Sequence, residues 1–298
     1  MTSRCAFRCG LVGLIGRPNV GKSTLLNRIL AQKLSITSRK PQTTRHRILG
    51  IKTSADAQVI YVDTPGLHRR AHRALNRYMN RTVTGTVEDV DVAVLVLASG
   101  AWTDEDESAL RLIERAEASC VVALNKIDRL SSRGALLPLI ETTRERTSCD
   151  RIVPISALKG DNVERLEGVI RELLPHGQAT FPDDQLTDRS TRFVVAELVR
   201  EKLIERVGQE LPYRSSVEVE HYHEEGDRTA IGAIIWVERQ SQKGIVIGRG
   251  GLMLKAVGVQ ARRDIESLLG RKVNLTLWVK VKRGWSDDER ALHALGYD

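Results

Sequence analysis

The chain has 298 residues, of which 41% are hydrophobic and 28% charged, and its formal net charge is +8. This length favours two domains with their own hydrophobic cores, and the longest apolar runs are far shorter than the roughly 20 residues that a membrane-spanning helix needs. Because the first residues lead directly into an apolar run, the sequence predicts no signal peptide and a cytoplasmic location. The excess of basic residues favours a polyanionic partner, either nucleic acid or lipid headgroups.

Short apolar runs alternate with segments of helical period over the first 174 residues. The predicted strands are Leu11–Ile15, Arg47–Thr53, Gln58–Val62, Asp91–Leu97, Cys120–Leu124 and Ile152–Ile155. The predicted helices are Lys22–Ala31, Arg73–Val87, Asp104–Ala116, Ala135–Arg146 and Asn162–Leu174. Strands that alternate with crossover helices indicate an α/β domain with a mostly parallel sheet and helices on both faces, in which residues 47–53 form an edge strand.

A glycine-containing loop joins the first strand to the first helix and matches the pattern G-x-x-x-x-G-K-[ST]. In such a turn the backbone N–H groups and the positive end of the helix dipole converge, and together they bind a polyphosphate. Lys22 is expected to reach the β and γ phosphates, and the Ser23 hydroxyl to bind Mg²⁺. The predicted nucleotide-binding residues here are Gly16, Arg17, Pro18, Asn19, Val20, Gly21, Lys22, Ser23 and Thr24.

Two motifs that follow later strands predict a magnesium ligand and a residue that selects the nucleotide base. Asp63 ends a strand and is expected to hold Mg²⁺, while the N–H of Gly66 can meet a γ-phosphate. The carboxylate of Asp128 can accept two hydrogen bonds from guanine, which adenine cannot donate. The remaining predicted base-binding residues are Asn125, which contacts the base or ties its loop to the phosphate loop, Lys126, Ser156, Ala157 and Leu158.

The four cysteines are at positions 5, 9, 120 and 149. Cys5 and Cys9 lack the partners of a four-ligand metal site and Cys120 opens an apolar strand, so reduced thiols with a structural role or none are expected. His221 and His223 share one face of a predicted strand without a Cys or acidic partner, and we expect them to be structural or surface residues.

These motifs resemble those of translation-factor-class P-loop GTPases, and the segment Ser38–Arg47 is similar to the first switch of the bacterial Era-type GTPases. The resemblance implies that Thr44, with Thr43 as the second candidate, ligates Mg²⁺ when a γ-phosphate is present. The candidate catalytic residues are therefore Lys22, Thr44, Asp63 and Gly66. It also implies that Asn19 helps to hold K⁺ near the phosphates. Many GTPases have a glutamine where this chain has Leu67, so slow hydrolysis is expected.

The last helix of the α/β region ends at Pro175, and a polar connection follows. We therefore predict a GTP-binding domain over 1–178, a linker over 179–190 and a second domain over 191–298 with a C-terminal tail. The predicted elements of the second domain are a helix Arg192–Val207, strands Ser216–Tyr222 and Thr229–Glu238, a glycine-rich segment, a helix that ends at Leu269 and a strand Lys272–Lys282. This order indicates a smaller α+β domain.

The glycine-rich segment contains a G-x-x-G loop at Gly248–Gly251, which is typical of RNA-clamping KH modules but also of helix caps. From Arg239 to Arg283 there are eleven basic residues and only two acidic ones, which favours the RNA interpretation. The resemblance to Era-type proteins implies a KH domain of type II. The predicted RNA-binding residues are Lys243, Gly248, Arg249, Gly250, Gly251 and Lys255.

The sequence thus predicts a GTP-binding and GTP-hydrolysing switch with Mg²⁺ as cofactor, and the family resemblance implies K⁺ as a second one. The family resemblance implies binding to the 3′ end of 16S rRNA, assistance in assembly of the small ribosomal subunit, and peripheral contact with the inner face of the cell membrane. Two alternatives remain open: a P-loop ATPase or small-molecule kinase, and a nucleotide-sensing RNA-binding protein without significant turnover. No protein partner is identifiable from the sequence.

Overall fold

The computed structural model describes residues 7–38, 40, 43–66, 74–116, 118–149, 151–207, 215–288, 290 and 292. Their contacts divide the chain into two compact units. The first contains the described residues of 1–35, 44–71 and 79–188, and the second contains those of 36–43, 72–78 and 189–298. Within the described ranges, no helix combines the length and the apolar character that crossing a membrane requires.

A six-stranded sheet forms the centre of the first unit. Its strands are β1 (Arg8–Ile15), β2 (Ile48–Thr53), β3 (Ala57–Asp63), β4 (Val92–Ala98), β5 (Ser119–Asn125) and β6 (Arg151–Pro154). The helices in the same part of the chain are α1 (Lys22–Leu30), α2 (Ala74–Asp89), α3 (Asp104–Glu114), α4 (Leu136–Arg146) and α5 (Val163–Leu173). The strand order is β2-β3-β1-β4-β5-β6, and only the β2–β3 pair is antiparallel.

The central strands are buried on both faces, which explains their uninterrupted apolar sequences. In β4, Val92–Leu97 are at most 3% exposed. Alternate residues of β4, including Ala93 and Leu95, belong to a hydrophobic cluster with residues of α2, α3 and α4, while α1 and α5 cover the opposite face. The predicted α/β sheet with helices on both faces is therefore confirmed, including β2 as its edge strand.

Two of the four cysteines are not the reduced thiols that the sequence predicts. Cys120 at the start of β5 and Cys149 just before β6 form a disulfide across 29 residues of sequence. β5 and β6 are neighbours in the sheet, with Val121 opposite Arg151, so the beginnings of the two strands lie side by side. Cys9 is buried and free, and Cys5 lies outside the described residues.

The segment predicted as a linker packs on the edge of the first sheet up to Asp188. The side-chain oxygen of Gln58 accepts hydrogen bonds from the backbone N–H groups of Thr180 (2.7 Å) and Phe181 (2.9 Å). Further along, the Thr187 hydroxyl donates to the carbonyl of Leu49 in β2 at 2.7 Å. Residues 179–188 therefore group with the first unit.

The second unit has the element order of a type II KH domain. Its elements are α6 (Thr191–Arg206), β7 (Ser215–Glu225), β8 (Arg228–Val237), α7 (Gln240–Ile247), α8 (Leu252–Leu269) and β9 (Lys272–Val281). β8 is the central strand, antiparallel to β7 and parallel to β9. Residues of α6, such as Val195 and Val199, form a core with Ile235 of β8 and Ala261 of α8.

The structure adds two features to the predicted second domain. The glycine-rich segment contains the helix α7. The sequence did not predict this helix, because its eight residues include Gly244 and β-branched residues, which have low helix propensity. β7 extends three residues beyond Tyr222, up to a tight turn at Gly226, whose φ of 56° suits glycine.

Candidate functional site

The phosphate-loop motif lies between β1 and α1, where the chain order across the sheet reverses and ligand crevices of open α/β sheets occur. Gly16 and Gly21 have φ values of 155° and 107°, and both are tightly surrounded. A Cβ atom on Gly16 would lie 2.5 Å from the carbonyl oxygen of Val96, and one on Gly21 would lie 2.3 Å from the side-chain nitrogen of Asn125. Only glycine fits these two positions.

Two basic residues of the phosphate loop are fixed by hydrogen bonds. The Nζ of Lys22 donates to the carbonyl oxygens of Gly16 (2.8 Å) and Arg17 (3.1 Å). Burial lowers the pKa of Lys22 to about 8, although the Asp63 carboxylate opposes this change. Arg17 donates through Nε to Asp106 of α3 at 3.0 Å, and Asp106 is itself buried. Thr24 is half-buried in the first turn of α1.

Three oxygen-bearing side chains from separate segments meet beside this loop. The Ser23 hydroxyl donates to Asp63 Oδ2 at 2.7 Å and lies 2.7 Å from the Thr44 hydroxyl. A residue that the sequence did not indicate, Ser35, donates to the same carboxylate oxygen at 2.6 Å. Ser35 lies in an irregular segment that carries no motif, so no pattern in the sequence could have identified it.

The cluster of Ser23, Thr44 and Asp63 fits Mg²⁺. This cation prefers oxygen ligands, and all three side chains supply them. The second carboxylate oxygen of Asp63, Oδ1, is buried and has no hydrogen-bond partner among the described residues, so a cation would satisfy it. Burial raises the pKa of Asp63, whereas the hydrogen bonds from Ser23 and Ser35 lower it.

Of the other predicted residues at the phosphate loop, Gly66 is buried whereas Asn19 is exposed. Gly66 is buried against the phosphate loop, and a Cβ atom there would lie 2.6 Å from Cγ of Pro18. Asn19 is exposed with a φ of 64°, and its carbonyl oxygen accepts a hydrogen bond from Lys126 Nζ. Leu67 lies outside the described residues.

The two loops predicted to bind the base are joined to each other and to the phosphate loop. Asn125 ties its loop to the phosphate loop, which is one of its two predicted roles. Its Nδ2 donates to the carbonyl of Val20 at 2.8 Å. Its Oδ1 accepts from the backbone N–H of Ala157 at 2.9 Å. The Ser156 hydroxyl donates to Asp128 Oδ1 at 2.6 Å, which leaves the orientation of that carboxylate well defined. Leu158 is 63% exposed.

The second unit contains a groove of about 410 Å³ next to the G-x-x-G loop. It is lined by residues of the loop, α8 and β9, namely Gly251, Leu254, Lys255, Gly258, Val259, Arg262, Asn274, Leu275, Thr276 and Leu277. The loop itself needs glycine, because Gly248, Gly250 and Gly251 all have φ between 57° and 77°.

Of the six predicted RNA-binding residues, Gly251 and Lys255 line this groove, whereas Lys243, Gly248, Arg249 and Gly250 do not. Arg249 and Gly250 are exposed, and Lys243 is half-buried. Three other polar residues that line the groove, Arg262, Asn274 and Thr276, were not among the predicted ones. The period of α8 could have indicated Arg262, since it lies seven residues after Lys255 and therefore on the same face.

The chain matches known protein families in both parts. The family of "50S ribosome-binding GTPase" matches residues 11–126, and the KH domain family matches residues 210–286. The chain is 53% identical to GTPase Era of Azotobacter vinelandii, with 100% of this chain and 99% of the relative covered. It is 52% identical to GTPase Era of Pseudomonas fluorescens at the same coverage.

Two solved structures resemble this protein along nearly the whole chain. One is Era in complex with MgGDPNP and nucleotides 1506–1542 of 16S ribosomal RNA. The other is an Aquifex aeolicus Era variant bound to GDP and AlF₄⁻. Each has a TM-score of 0.94 and 36% sequence identity, and covers 98% of this chain and 99% of its own. Because similarity in sequence and in structure extends over essentially its full length, this chain belongs to the Era family of GTPases.

Proposed function

We propose that this chain is a GTP-binding and GTP-hydrolysing switch that binds the 3′ end of 16S rRNA and assists assembly of the small ribosomal subunit. The nucleotide site is assigned to 1–178 and the RNA site to 191–298, with 179–190 as the connection. The observation that carries the proposal is the convergence of Ser23, Thr44 and Asp63 beside a glycine-constrained phosphate loop. The solved complex of a related Era with 16S rRNA nucleotides supports the choice of RNA.

Each part of the first site has a defined task in this proposal. The backbone N–H groups of the phosphate loop and Lys22 bind the phosphates, and Ser23, Thr44 and Asp63 hold Mg²⁺. When bound, Mg²⁺ neutralises charge on the β and γ phosphates. Gly66 can bring its N–H close to the γ-phosphate because no side chain separates it from Pro18. Asp128 accepts hydrogen bonds from guanine, with Ser156 fixing its orientation and Lys126 packing over the base.

Turnover of GTP and ATP by the purified full chain, with and without Mg²⁺, tests the enzymatic part. We expect GTP hydrolysis that requires Mg²⁺ and little hydrolysis of ATP. Preferred hydrolysis of ATP would favour a P-loop ATPase. GTP binding without turnover would instead indicate a nucleotide-sensing RNA-binding protein.

Potassium is part of the proposal as a second cation near the phosphates. Asn19 supports it, because this side chain is at the exposed rim of the phosphate loop and matches the potassium-associated asparagine of related GTPases. A positive charge there would stabilise the charge that develops during phosphoryl transfer. We expect faster GTP turnover in KCl than in NaCl, and Asn19→Ala should abolish that difference. Equal rates of the parent protein in both salts would refute the role of K⁺.

The RNA part is tested by fluorescence anisotropy with a labelled oligonucleotide of the 16S rRNA 3′ end, with an unrelated oligonucleotide as control. We expect preferential binding of the rRNA sequence by the full chain.

The proposed location is the cytoplasm, with peripheral contact at the inner face of the membrane through exposed basic residues. Co-flotation with anionic vesicles but not with neutral ones would support that contact, and no flotation would refute it.

A further inference from the structure

The segment Ile36–Thr43 lies between two residues of the Asp63 cluster. Ser35 precedes it and Thr44 follows it, and both place their hydroxyl groups at that cluster. The described residues of the segment nevertheless group with the second unit, where they contact α6. The position of Thr44 therefore depends on what holds the preceding residue, Thr43.

Three side chains connect this segment to α6. The backbone N–H of Thr37 donates to Glu201 Oε1 at 2.8 Å. Lys40 Nζ donates to the carbonyl of Ile204 at 2.5 Å and to that of Val207, both at the C-terminal end of α6, where a cation is electrostatically favoured. Arg200 donates through Nη2 to the carbonyl oxygen of Thr43.

Arg200 is the most constrained of these side chains. It is only 1% exposed, and both its Nε and its Nη2 donate to Glu197, at 2.7 and 2.6 Å. A two-point contact of this kind fixes the plane of the guanidinium group and so the direction of its remaining hydrogen bonds. Burying such an ion pair is costly, and apolar side chains of similar size often replace one without loss of stability. The hydrogen bond to the carbonyl of Thr43 gives the charged pair a task that apolar side chains could not perform.

We propose that Arg200, oriented by Glu197, is a positioning residue for GTP hydrolysis. By holding the carbonyl of Thr43, it fixes the backbone next to Thr44 and so keeps the Thr44 hydroxyl beside Ser23 and Asp63. In this proposal Arg200 acts through the carbonyl of Thr43 and not by direct contact with the nucleotide. The inference rests on the proposed function, because it assigns Thr44 to the Mg²⁺ site of the GTP-bound protein.

The test uses the full chain with both charged partners replaced, as Glu197→Met with Arg200→Met. This variant removes the hydrogen bond to Thr43 together with both charges of the Arg200–Glu197 pair, so neither of the two is left without the other. We expect kcat for GTP to fall about tenfold, as the loss of one hydrogen bond to a charged group predicts, and the Mg²⁺ concentration for half-maximal rate to rise. Affinity for GDP should stay within about twofold of the parent, because the phosphate loop and base loops are unchanged.

The control is Arg206→Met, also on α6, whose side chain bonds Gln260 at the surface. It should leave kcat, the Mg²⁺ requirement and GDP affinity unchanged. Circular dichroism and thermal unfolding establish that each variant is folded. If the folded double variant keeps the kcat and Mg²⁺ dependence of the parent, or loses GDP affinity as much as kcat, the proposal is wrong. If the parent itself hydrolyses no GTP, it is the proposed function that fails.

Discussion

At the scale of single residues, we expect the choice of base to depend on one carboxylate. Asp128 is held by Ser156, and the same pair of loops is tied to the phosphate loop through Asn125. We expect Asp128→Asn to weaken GTP binding at least about a hundredfold, because two hydrogen bonds to a charged acceptor are lost. Binding of xanthosine triphosphate should improve, because its changed base edge complements the amide. Nucleotide competition measures both effects.

The matched control for this prediction is Asp161→Asn. Asp161 is exposed next to the same loop, and its backbone carbonyl, which the substitution keeps, accepts the N–H of Ser156. It should retain the preference for GTP. Unchanged affinity of Asp128→Asn for GTP would show that this loop does not read the base.

A second prediction at this scale concerns the disulfide between Cys120 and Cys149. A cross-link that closes a loop of about 30 residues stabilises a protein by roughly 3–4 kcal/mol in the chain-entropy model. We expect reduction with dithiothreitol, or the double substitution Cys120→Ser/Cys149→Ser, to lower the urea midpoint of the first unit. The reductant should have no further effect on the double variant. An unchanged midpoint on reduction of the parent protein would contradict the prediction.

At the scale of elements, the turn between α7 and α8 combines positive φ angles with an exposed basic side chain. Gly250 has a φ of 57° and open space around it, and Arg249 beside it is exposed. Asp at both positions should weaken binding of the 16S rRNA oligonucleotide at least about tenfold, because it adds negative charge where the proposed site would hold the RNA backbone. GTP turnover should stay within about twofold of the parent.

The control for backbone strain in this experiment is Gly226→Asp. Gly226 also has a positive φ, 56°, and open surroundings, but it lies in the β7–β8 turn. Its substitution should leave RNA affinity unchanged. Normal RNA binding by Arg249→Asp/Gly250→Asp would mean that the G-x-x-G loop is only a helix cap.

The elements also show what the sequence could and could not predict. The amphipathic helix α5 and the continuously apolar strand β4 agree with the prediction to within one or two residues, because burial of one face of α5 and of both faces of β4 dictates their patterns. α7 was missed because it is short and contains Gly244. The packing of residues 179–188 could not be read, because it depends on the side chain of Gln58 meeting backbone N–H groups over 120 residues away.

The candidate sites divide in the same way. Asp63 and Asp128 were identified because each ends or follows a strand within a recognisable motif. Ser35 and Arg200 were not identified. The hydrogen bond of Ser35 to Asp63 comes from a loop without a motif, and that of Arg200 to the Thr43 carbonyl comes from a buried helix face. Arg249 was predicted for its place in the glycine-rich loop, yet the groove itself is lined further along, by Arg262 and by residues of β9.

At the scale of the whole molecule, the net charge of +8 is unevenly distributed along the sequence. Basic residues are in excess between Arg239 and Arg283, and two of them, Lys255 and Arg262, line the groove of the second unit. Binding that depends on neutralising phosphates must weaken as the salt concentration rises. The protein releases counterions from the RNA when it binds, and this release is less favourable when the solution already contains more salt. The salt dependence therefore counts the basic residues that act on the RNA.

We expect four basic residues around the groove and its loop, namely Lys243, Arg249, Lys255 and Arg262, to neutralise phosphates. Four contacts with single-stranded RNA predict a slope of about −2.8 for log affinity against log salt, or about 50-fold weaker binding between 0.1 and 0.4 M KCl. Lys255→Ala should make the slope shallower by about 0.7, whereas Arg115→Ala, at the exposed end of α3 in the first unit, should not change it. A slope near zero, or equal effects of the two substitutions, would place the RNA contacts outside this groove.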